Sequence, residues 1–459
     1  MAYKGILKSC QALHLSVIFK LMVVIVRLLF IFITIALPLS GYGNTKEFNL
    51  DNGLKVIIIE DHKVPIATFQ IWYRVGSRNE TTGKTGLSHL LEHMMFKGTP
   101  KYGPKAFSRI IQRNGGIDNA MTTKDYTMYF ETLSSDRIDI AIDLESDRMR
   151  NLILNPEETL SERDVVMEER RLRYEDDPQN SLFEKVVATA IMAHPYRNPV
   201  IGWMADLNNM NMEDLKKFYD DYYRSDNAFI VIAGDVKPDE IIGRLRSAFG
   251  KNGGIKPNPS FKITTEPLQK GEKRLILKKE AELPYILAAY HTPSIPHKDS
   301  YALDVLSTIL SGGKSSRLYK SLIYEKKIAL NAGSEYSGMY KDPFLFFLWA
   351  TPSPGRDVEE VEKALYEEIE KIKVDPPSER EIQKAKNQIE SFFIFSQDSL
   401  YMQAMITGRF EVLGDWRLKE RYLEGIRGVK PEDVQRVAKV YLDKDNRTVG
   451  ILMPVKDSK

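Results

Sequence analysis

Apolar and polar residues alternate with two different periods along the chain, and each period predicts a different element. Residues 48–60 predict two strands joined by a hairpin at Asp51-Asn52-Gly53, because alternating segments flank a strong turn sequence. Residues 66–75 alternate in the same way, and residues 228–234 form an apolar run, so both predict strands. Helices are predicted at residues 107–114, from about residue 137, and at 160–173, 212–222, 238–249 and 303–310.

A short helix is predicted just after Gly86, because leucine and methionine recur there at spacings of three and four residues. Thr85 is the predicted N-cap, and Gly98 and Pro100 are predicted to end the helix. The apolar residues cover most of its faces, as expected of a buried helix that is held rigidly. These residues are Leu87, Leu90, Leu91, Met94 and Met95.

A block in the second half of the chain repeats one in the first half at a constant offset. Residues 432–434 (Glu-Asp-Val) follow residues 213–215 (Glu-Asp-Leu) by 219 positions, and Tyr441 follows Tyr222 by the same 219 positions. Both blocks predict a helix, a short turn and an apolar strand, which indicates internal duplication. The chain is therefore expected to contain two similar α+β domains.

The segment between the two copies sets the expected domain boundaries. Residues 251–273 are rich in Gly, Pro, Lys and Thr and largely lack periodicity, which predicts a linker. The two domains are then expected at residues 44–250 and 274–459. Residues 303–310 stand in the second copy where the first copy has its short leucine-rich helix, but they contain no histidine.

The first 43 residues are predicted to be a secretory signal peptide. They contain four cationic residues and no acidic one, an apolar run at residues 28–39 interrupted only by Thr34, and small residues at 40–43. An uncleaved membrane anchor is the alternative, although a transmembrane helix needs about 20 apolar residues. Met22 could be the true start of the chain. We therefore expect secretion across the inner membrane and a periplasmic location.

Without this segment the formal net charge changes from +2 to −2, because four cationic side chains are lost. Such a balance gives no indication of nucleic-acid binding. Cys10 is the only cysteine and lies in the same segment, so the mature chain has neither disulfides nor cysteine metal ligands. This suits an oxidising compartment such as a periplasm. Any metal site must use His, Asp or Glu.

The segment HLLEH at residues 89–93 carries the strongest chemical signal. Side chains four residues apart share one face of a helix, so His89 and His93 can present two imidazoles to one metal ion. Glu92 lies on the same side, where a carboxylate can take a proton from a water on the metal. The order H-x-x-E-H is an inverted zinc-protease signature. The alternative is a pair of core histidines on an apolar helix.

A catalytic zinc site needs a third protein ligand and keeps one position open for water. In the predicted helix at residues 160–173, Glu162 and Glu169 are seven residues apart and share a face. We favour Glu169 as the third ligand, with Glu162 as a carboxylate that supports the ligands. Glu168 is the neighbouring alternative, and charged runs of this kind are most often solvated helix faces.

An alternating segment at residues 126–131 predicts a further strand. The segment before it, residues 119–122, is extended but lacks a clear apolar face. It could be an edge strand, which can pair with an extended peptide through backbone hydrogen bonds. An ordinary loop is the alternative, and the residue types leave both open.

Several further motifs accompany HLLEH and Glu169 in order along the chain. Together they resemble the pitrilysin, insulysin and mitochondrial processing peptidase family of zinc metallopeptidases, and the resemblance extends from about residue 46 to residue 455. Because the motifs are many and ordered, the resemblance is specific. They are the E-R-x-V-V-x-x-E run at residues 162–169, Gly115-Gly116, Asn119-Ala120, Thr122, Tyr129, His194-Pro195-Tyr196 and Gly234-Asp235-Val236.

The resemblance implies an α+β fold of two homologous domains, each a mostly antiparallel sheet with helices packed on it. It also implies one Zn²⁺ per chain, held by His89, His93 and Glu169. Zinc held in this way lowers the pKa of water and polarises the carbonyl of the scissile bond. The second domain would carry no metal.

The same resemblance implies roles for the remaining site residues. Glu92 would be the general base, which accepts a proton from water and passes it to the leaving amine. Glu162 would support the metal ligands from outside the ligand set. The edge strand at Asn119 and Ala120 would bind extended substrate.

The chain departs from this family in one respect. Many relatives carry a substrate-binding Arg and Tyr, seven residues apart, after a segment similar to residues 312–319 here. The corresponding positions are Tyr324 and Asn331, so the pair is absent. In some bacterial relatives the metal and the Arg/Tyr pair lie on two chains that enclose a chamber. We therefore expect a heterodimer with a homologous sister subunit; a homodimer or a monomer is the alternative.

These features predict a secreted zinc metalloendopeptidase that hydrolyses peptides or unfolded segments. The first rival is a non-catalytic scaffold or peptide-binding subunit that retains the fold, and the second is a peptide carrier with structural zinc. Scaffold relatives usually lose part of the H-x-x-E-H set, whereas this chain keeps all of it.

Overall fold

Two β-sheets, one from each half of the sequence, form the framework of the molecule. The computed structural model describes residues 44–251 and 262–455. The predicted signal peptide at residues 1–43, and residues 252–261 of the predicted linker, lie outside the described residues. Within the described ranges, no helix combines the length and the apolar character needed to cross a bilayer.

The first sheet has six strands among the described residues: β1 (Asn44–Asn49), β2 (Lys55–Glu60), β3 (Ile66–Tyr73), β4 (Ile117–Thr122), β5 (Thr127–Ser134) and β6 (Ala228–Gly234). Their spatial order is β1-β2-β6-β3-β5-β4. β2 and β6 are parallel, whereas β6, β3, β5 and β4 pair antiparallel in succession. β4 is therefore an edge strand, and the loop alternative for this segment is wrong.

The second sheet repeats this arrangement. In the described part of the chain it comprises β7 (Lys273–Glu280), β8 (Tyr285–Thr292), β9 (Ala329–Tyr336), β10 (Phe344–Pro352) and β11 (Arg447–Val455). The order β7-β11-β8-β10-β9 matches β2-β6-β3-β5-β4, again with one parallel pair and three antiparallel pairs. The predicted α+β fold with two homologous, mostly antiparallel sheets is confirmed.

Helices pack on both sheets. Those of the first half are α1 (Leu87–Met94), α2 (Ala106–Arg113), α3 (Ile138–Asn151), α4 (Pro156–Arg170), α5 (Pro178–Ala190), α6 (Met204–Asn209), α7 (Met212–Tyr222) and α8 (Pro238–Phe249). Those of the second half are α9 (Ser300–Ser311), α10 (Val358–Val374), α11 (Glu379–Ser396), α12 (Leu400–Leu413), α13 (Leu418–Gly428) and α14 (Pro431–Tyr441). α14 begins and ends 219 residues after α7, as the repeat predicts.

Strands inside both sheets, such as β2 and β10, are apolar on both faces because both faces are covered. In β2, Val56 and Ile58 belong to the core of the first half, whereas Ile57 and Ile59 belong to a separate cluster on the opposite face. Successive side chains of a strand point to opposite faces, so each core receives alternate residues. β10 shows the same division between two clusters.

The second face of each sheet is covered by a helix from the other half of the chain. α12 contributes Met405 and Val412 to a cluster with Phe229 of the first sheet. Reciprocally, α5 contributes Leu182 and Val186 to a cluster with Leu287 of the second sheet. This exchange of helices joins the two halves through apolar burial.

Two glycines allow the exchanged helices to approach closely. A Cβ at Gly408 of α12 would lie 2.3 Å from ring atoms of Trp72. A Cβ at Gly450 of β11 would lie 2.3 Å from a methyl carbon of Val186 on α5. Both distances are far below van der Waals contact, so a side chain at either position would force the helix away from the sheet.

A polar junction also connects the halves next to the edge strand β4. Arg78 pairs with Asp125 at 3.2 Å and with Asp342 of the second half. His194 Nε2 lies 3.0 Å from the carboxylate of Asp342, and the hydroxyl of Tyr196 donates to Asp125 at 2.5 Å. The motif His194-Pro195-Tyr196 therefore serves the junction between the halves.

Candidate metal centre

The site is built around α1, whose N-terminus is held by groups from outside the helix. Gly86 is the N-cap with a φ of 97°, a left-handed conformation that favours glycine. The buried carboxylate of Glu80 accepts hydrogen bonds from the backbone N–H groups of Gly86 and Ser88 at 2.8 and 2.7 Å. Burial raises the pKa of Glu80 to about 7, although these two hydrogen bonds act against the rise. Glu80 thus supplies the cap that glycine cannot.

The prediction that Thr85 caps this helix is wrong. Its hydroxyl donates to Asp206 at 2.6 Å and accepts from the backbone N–H of Trp203 at 2.9 Å. The helix ends at Met94, before Gly98 is reached. Thr85 therefore contacts residues that are distant in sequence, and the sequence around Thr85 gives no indication of these contacts.

His89, His93 and Glu169 converge, and their ligand atoms all lie within 4.8 Å of one another. His93 Nε2 is 3.5 Å from one oxygen of Glu169, and His89 Nε2 is 3.9 Å from the other. Donor atoms around a tetrahedral zinc ion are about 3.3–3.5 Å apart, given metal–ligand distances of about 2.0–2.2 Å. The three side chains therefore fit one small divalent ion after slight adjustment.

The two imidazoles are suited to bind a cation through Nε2. Burial lowers the pKa of His89 to about 3, so its ring is neutral at physiological pH. His93 Nδ1 lies 2.8 Å from an oxygen of Glu162, which assigns the proton to Nδ1 and leaves the Nε2 lone pair free. A carboxylate behind a ligand histidine is a usual feature of zinc sites.

Glu162 also pairs with the ammonium group of Lys97, which lies three residues after the end of α1. The hydrogen bond with His93 and the pairing with Lys97 lower the pKa of Glu162 to about 2, although burial opposes them. The carboxylate is thus charged and held on both sides. It fixes the ring of His93 in the orientation just described.

The structure distinguishes the two glutamates near the end of α4. Glu169 turns toward the histidines and also pairs with Arg173 at 3.0 Å. Glu168 instead points to solvent, where it pairs with Arg171 at 2.9 Å. Immediately after α4 the chain forms a π-helical turn, Arg171–Glu175, which leads into α5. Glu169 is therefore the member of this pair that reaches the candidate centre.

Glu92 faces the edge strand β4. Its carboxylate accepts a short hydrogen bond from the hydroxyl of Thr122, the last residue of β4. Burial raises the pKa of Glu92, and the hydrogen bond from Thr122 opposes the rise. One carboxylate oxygen is thus held by Thr122, whereas the other has no hydrogen-bond partner among the described residues.

Asn119 and Ala120 lie on β4, which packs beside α1. The side chain of Asn119 is exposed, and its carbonyl oxygen accepts from the backbone N–H of Ala120 at 2.8 Å. Ala120 is half-buried against the core of the first half. The edge of β4 that faces away from β5 has no strand partner in the described part of the chain.

The other predicted positions lie apart from this cluster. Tyr324 is 71% exposed on a π-helical turn, Tyr319–Glu325. Asn331 lies on β9, the edge strand of the second sheet, where its side chain accepts from the hydroxyl of Thr351 at 3.1 Å. The remaining histidines of the described residues make other contacts: His62, His194, His291 and His297.

Sequence reasoning missed the roles of Glu80 and Lys97, and it noted Thr122 without a function. Thr122 and Ala120 are two positions apart on β4, so both side chains point to the same face of the sheet, and that face meets α1. This shared face could have indicated the contact of Thr122 with Glu92. No sequence signal distinguishes Glu80 or Lys97 from other charged residues.

Two family models match the chain over most of its length. The model described as Insulinase (Peptidase family M16) matches residues 55–203, which include α1 and α4. The model described as Peptidase M16 inactive domain matches residues 209–389.

Proteins of similar sequence cover the chain almost completely. Zinc protease PqqE of Helicobacter pylori is 33% identical over 89% of this chain and 93% of its own length. An uncharacterized zinc protease of Bacillus subtilis, YmxG, is 26% identical over 87% of this chain and 96% of its own.

Solved structures show the same fold. A protease from Helicobacter pylori has a TM-score of 0.87 and 31% identity, with 90% of this chain and all of that chain covered (100%). The periplasmic protease PqqL from Escherichia coli has a TM-score of 0.75 and 16% identity. This chain covers only 48% of PqqL, so PqqL contains about twice the length of the present fold.

Proposed function

Since the chain belongs to peptidase family M16, we propose that it is a zinc-dependent endopeptidase that hydrolyses peptides or unfolded segments. The observation that carries this proposal is the convergence of His89, His93 and Glu169, whose donor atoms fit one divalent ion. These three side chains would hold one Zn²⁺ and leave room for water and substrate. A bound Zn²⁺ supplies a Lewis acid, which polarises a carbonyl and acidifies water.

Glu92 is the proposed general base. Because Thr122 holds one oxygen of its carboxylate, the other oxygen is the atom that accepts a proton from the attacking water. Glu92 then gives this proton to the amine nitrogen of the leaving peptide. Glu162 fixes the ring of His93 and supports the ligands without touching the substrate.

The edge strand β4 is the proposed binding surface for the substrate backbone. An extended peptide that pairs with its open edge would add one strand to the first sheet. Such pairing uses the backbone N–H and C=O groups that point outward at alternate residues of β4, in the segment that contains Asn119 and Ala120, so it demands little of the substrate sequence. It does demand an extended chain, and folded substrates are therefore excluded.

A homologous sister subunit is the proposed partner. The positions expected to carry an Arg/Tyr pair hold Tyr324 and Asn331, and Asn331 is engaged by Thr351. The similarity to half of PqqL supports a functional unit of about twice this length. A sister chain with the Arg/Tyr pair would then complete the substrate site; a homodimer is the alternative.

The periplasm is the proposed location, because residues 1–43 have the composition of a signal peptide. Such a segment would be removed at export or would remain as an anchor. Fractionation of cells that express the full chain, followed by N-terminal sequencing of the product, distinguishes the two forms.

One experiment separates this proposal from a scaffold that retains the fold. Zinc content and cleavage of an unfolded peptide are measured for the wild type and for Glu92→Gln, each alone and with the sister subunit. We expect both proteins to bind one zinc ion and only the wild type to cleave. A wild type that binds zinc but never cleaves would support the scaffold or carrier alternative. Equal cleavage by both proteins would remove Glu92 from the mechanism.

A further inference from the structure

The second half of the molecule contains a cavity of about 510 Å³ that the metal site does not use. This volume falls in the range of about 300–1,000 Å³ that is usual for ligand sites. Its walls are mostly apolar and come from α9, α11, α12, α13 and the segment after β9. Aromatic side chains among them are Tyr336, Phe392, Phe393, Phe410 and Tyr422.

One cation stands among these apolar walls. Arg409 of α12 lines the cavity and is exposed. In the part of the chain that the structure describes, no carboxylate forms an ion pair with Arg409. The acid in the same wall, Asp304, is already engaged, since it accepts a hydrogen bond from the hydroxyl of Tyr422. The guanidinium of Arg409 is therefore available to a ligand.

One wall of the cavity, α12, also packs on the sheet that contains the edge strand β4. The buried cluster between this helix and the first sheet includes Met405 of α12 and the side chain of Tyr126. The hydroxyl of Tyr126 in turn lies 4.0 Å from the sulfur of Met121, an exposed residue of β4. Side-chain contacts from α12 through Tyr126 to Met121 therefore connect this wall of the cavity to β4.

These features specify a ligand that joins an apolar group to a single carboxylate. The last residue of a peptide has this composition when its side chain is large and apolar. Resting on the peptidase function proposed above, we propose that this cavity binds the C-terminal residue of the substrate. The side chain enters the aromatic walls, and the terminal carboxylate binds Arg409 through paired hydrogen bonds.

The test measures binding separately from cleavage. Full-length Glu92→Gln, which would hold peptides without hydrolysing them, is titrated with fluorescent peptides of one sequence that end in Phe as the free acid, in Phe as the amide, or in Gly as the free acid. We expect the Phe acid to bind about tenfold more tightly than either of the others. Equal affinities for all three peptides would overturn the proposal.

Three variants in the same background identify the residues responsible. Arg409→Gln should abolish the preference for acid over amide, and Phe392→Ala, at a side chain that is 61% exposed, should abolish the preference for Phe over Gly. Arg421→Gln removes the same charge from an exposed position outside the cavity and should keep both preferences. Preferences that persist in Arg409→Gln and Phe392→Ala would overturn the assignment to this cavity.

Two further measurements are needed. One distinguishes a lipid ligand from a peptide, and the other separates failure of the cavity proposal from failure of the proposed peptidase function. A medium-chain fatty acid that displaces the Phe acid peptide at a concentration below the peptide's own Kd would overturn the peptide assignment in favour of a lipid ligand. Cleavage by the wild type reports on the proposed function alone. A cleaving enzyme without C-terminal preference contradicts only the cavity proposal, whereas preference without cleavage contradicts only the peptidase.

Discussion

The hydroxyl of Thr122 donates a hydrogen bond to the carboxylate of Glu92, and this contact joins the edge strand β4 to the helix that carries both histidines. Thirty positions separate the two residues in sequence. The contact orients the carboxylate and also places it directly beside the proposed path of the substrate backbone. A peptide that pairs with β4 would therefore meet a base whose direction is already set.

Removal of the Thr122 hydroxyl should impair turnover more than binding. We expect Thr122→Val, which keeps the shape of the side chain, to reduce kcat about 10- to 100-fold because a hydrogen bond to a charged group is worth about 1.5–3 kcal/mol. KM and zinc content should stay close to the wild-type values. Thr122→Ser retains the hydroxyl and should restore most of the rate. An unchanged kcat in Thr122→Val would show that Glu92 does not depend on this contact.

The two glutamates flanking the candidate centre should differ in their effect on zinc. Glu162→Gln weakens the support of His93 and leaves Lys97 without its partner, so we expect zinc affinity to fall about 10- to 100-fold. Glu168→Gln, on the same helix but exposed, should leave the affinity unchanged. Competition with a chelator measures both values. A larger loss in Glu168→Gln would show that Glu168, and not Glu162, supports the zinc site.

Gly408 should be intolerant of even one added methyl group. A Cβ there would overlap the ring of Trp72, so we expect Gly408→Ala to lower the free energy of unfolding by about 1–3 kcal/mol despite its higher helix propensity. Gly243→Ala, in α8 with open space around the position, should instead raise it by about 0.5–1 kcal/mol. Denaturant titration measures both changes. Equal stabilisation by the two variants would contradict the close approach of α12 to the first sheet.

The junction at Asp342 should contribute a stability that disappears in acid. Burial alone would raise its pKa, but hydrogen bonds with His194 and Arg78 lower the pKa of Asp342 from 3.8 to about 2. The folded state therefore binds the proton less tightly than the unfolded state does. The stabilisation is fully present above pH 3.8 and is lost as the pH falls through about 2.

Because the pKa of Asp342 is lowered in the folded state, we expect a specific pH dependence for the stability of Asp342→Asn. At pH 7 the variant should unfold more easily than the wild type, by about 1–2 kcal/mol. The difference should shrink between pH 4 and pH 2, because the wild type then loses the same interaction. Urea midpoints at several pH values measure it. A difference that stays constant down to pH 2 would show that the charge of Asp342 plays no part.

The elements with strong local periodicity could be predicted from the sequence to the residue. The helix Met212–Tyr222, the strand Ala228–Gly234 and the helix Pro238–Phe249 have the expected bounds. Each is long, strongly patterned and bounded by turn residues, so local preference and tertiary packing agree. The repeat at 219 residues succeeded for the same reason, since both copies preserve the same pattern.

What the sequence could not supply were contacts between distant segments. The cap of α1 comes from Glu80, and Thr85 is diverted by Asp206. The support of Glu92 by Thr122 depends on how β4 lies against α1. Glu162 and Glu169 could be paired by helical spacing, whereas the pairing of Lys97 with Glu162 requires the two helices to be in place.

The exchange of α5 and α12 has a consequence for how this protein can be divided. A truncated gene product that ended before residue 274 would lack α12 and would expose to water the face of the first sheet that α12 covers. The corresponding C-terminal fragment would lack α5 and would expose one face of the second sheet. Such wide apolar surfaces favour aggregation. Duplication of this architecture must therefore copy the two halves together. A division into separate polypeptides must fall between such two-half units and not within one of them.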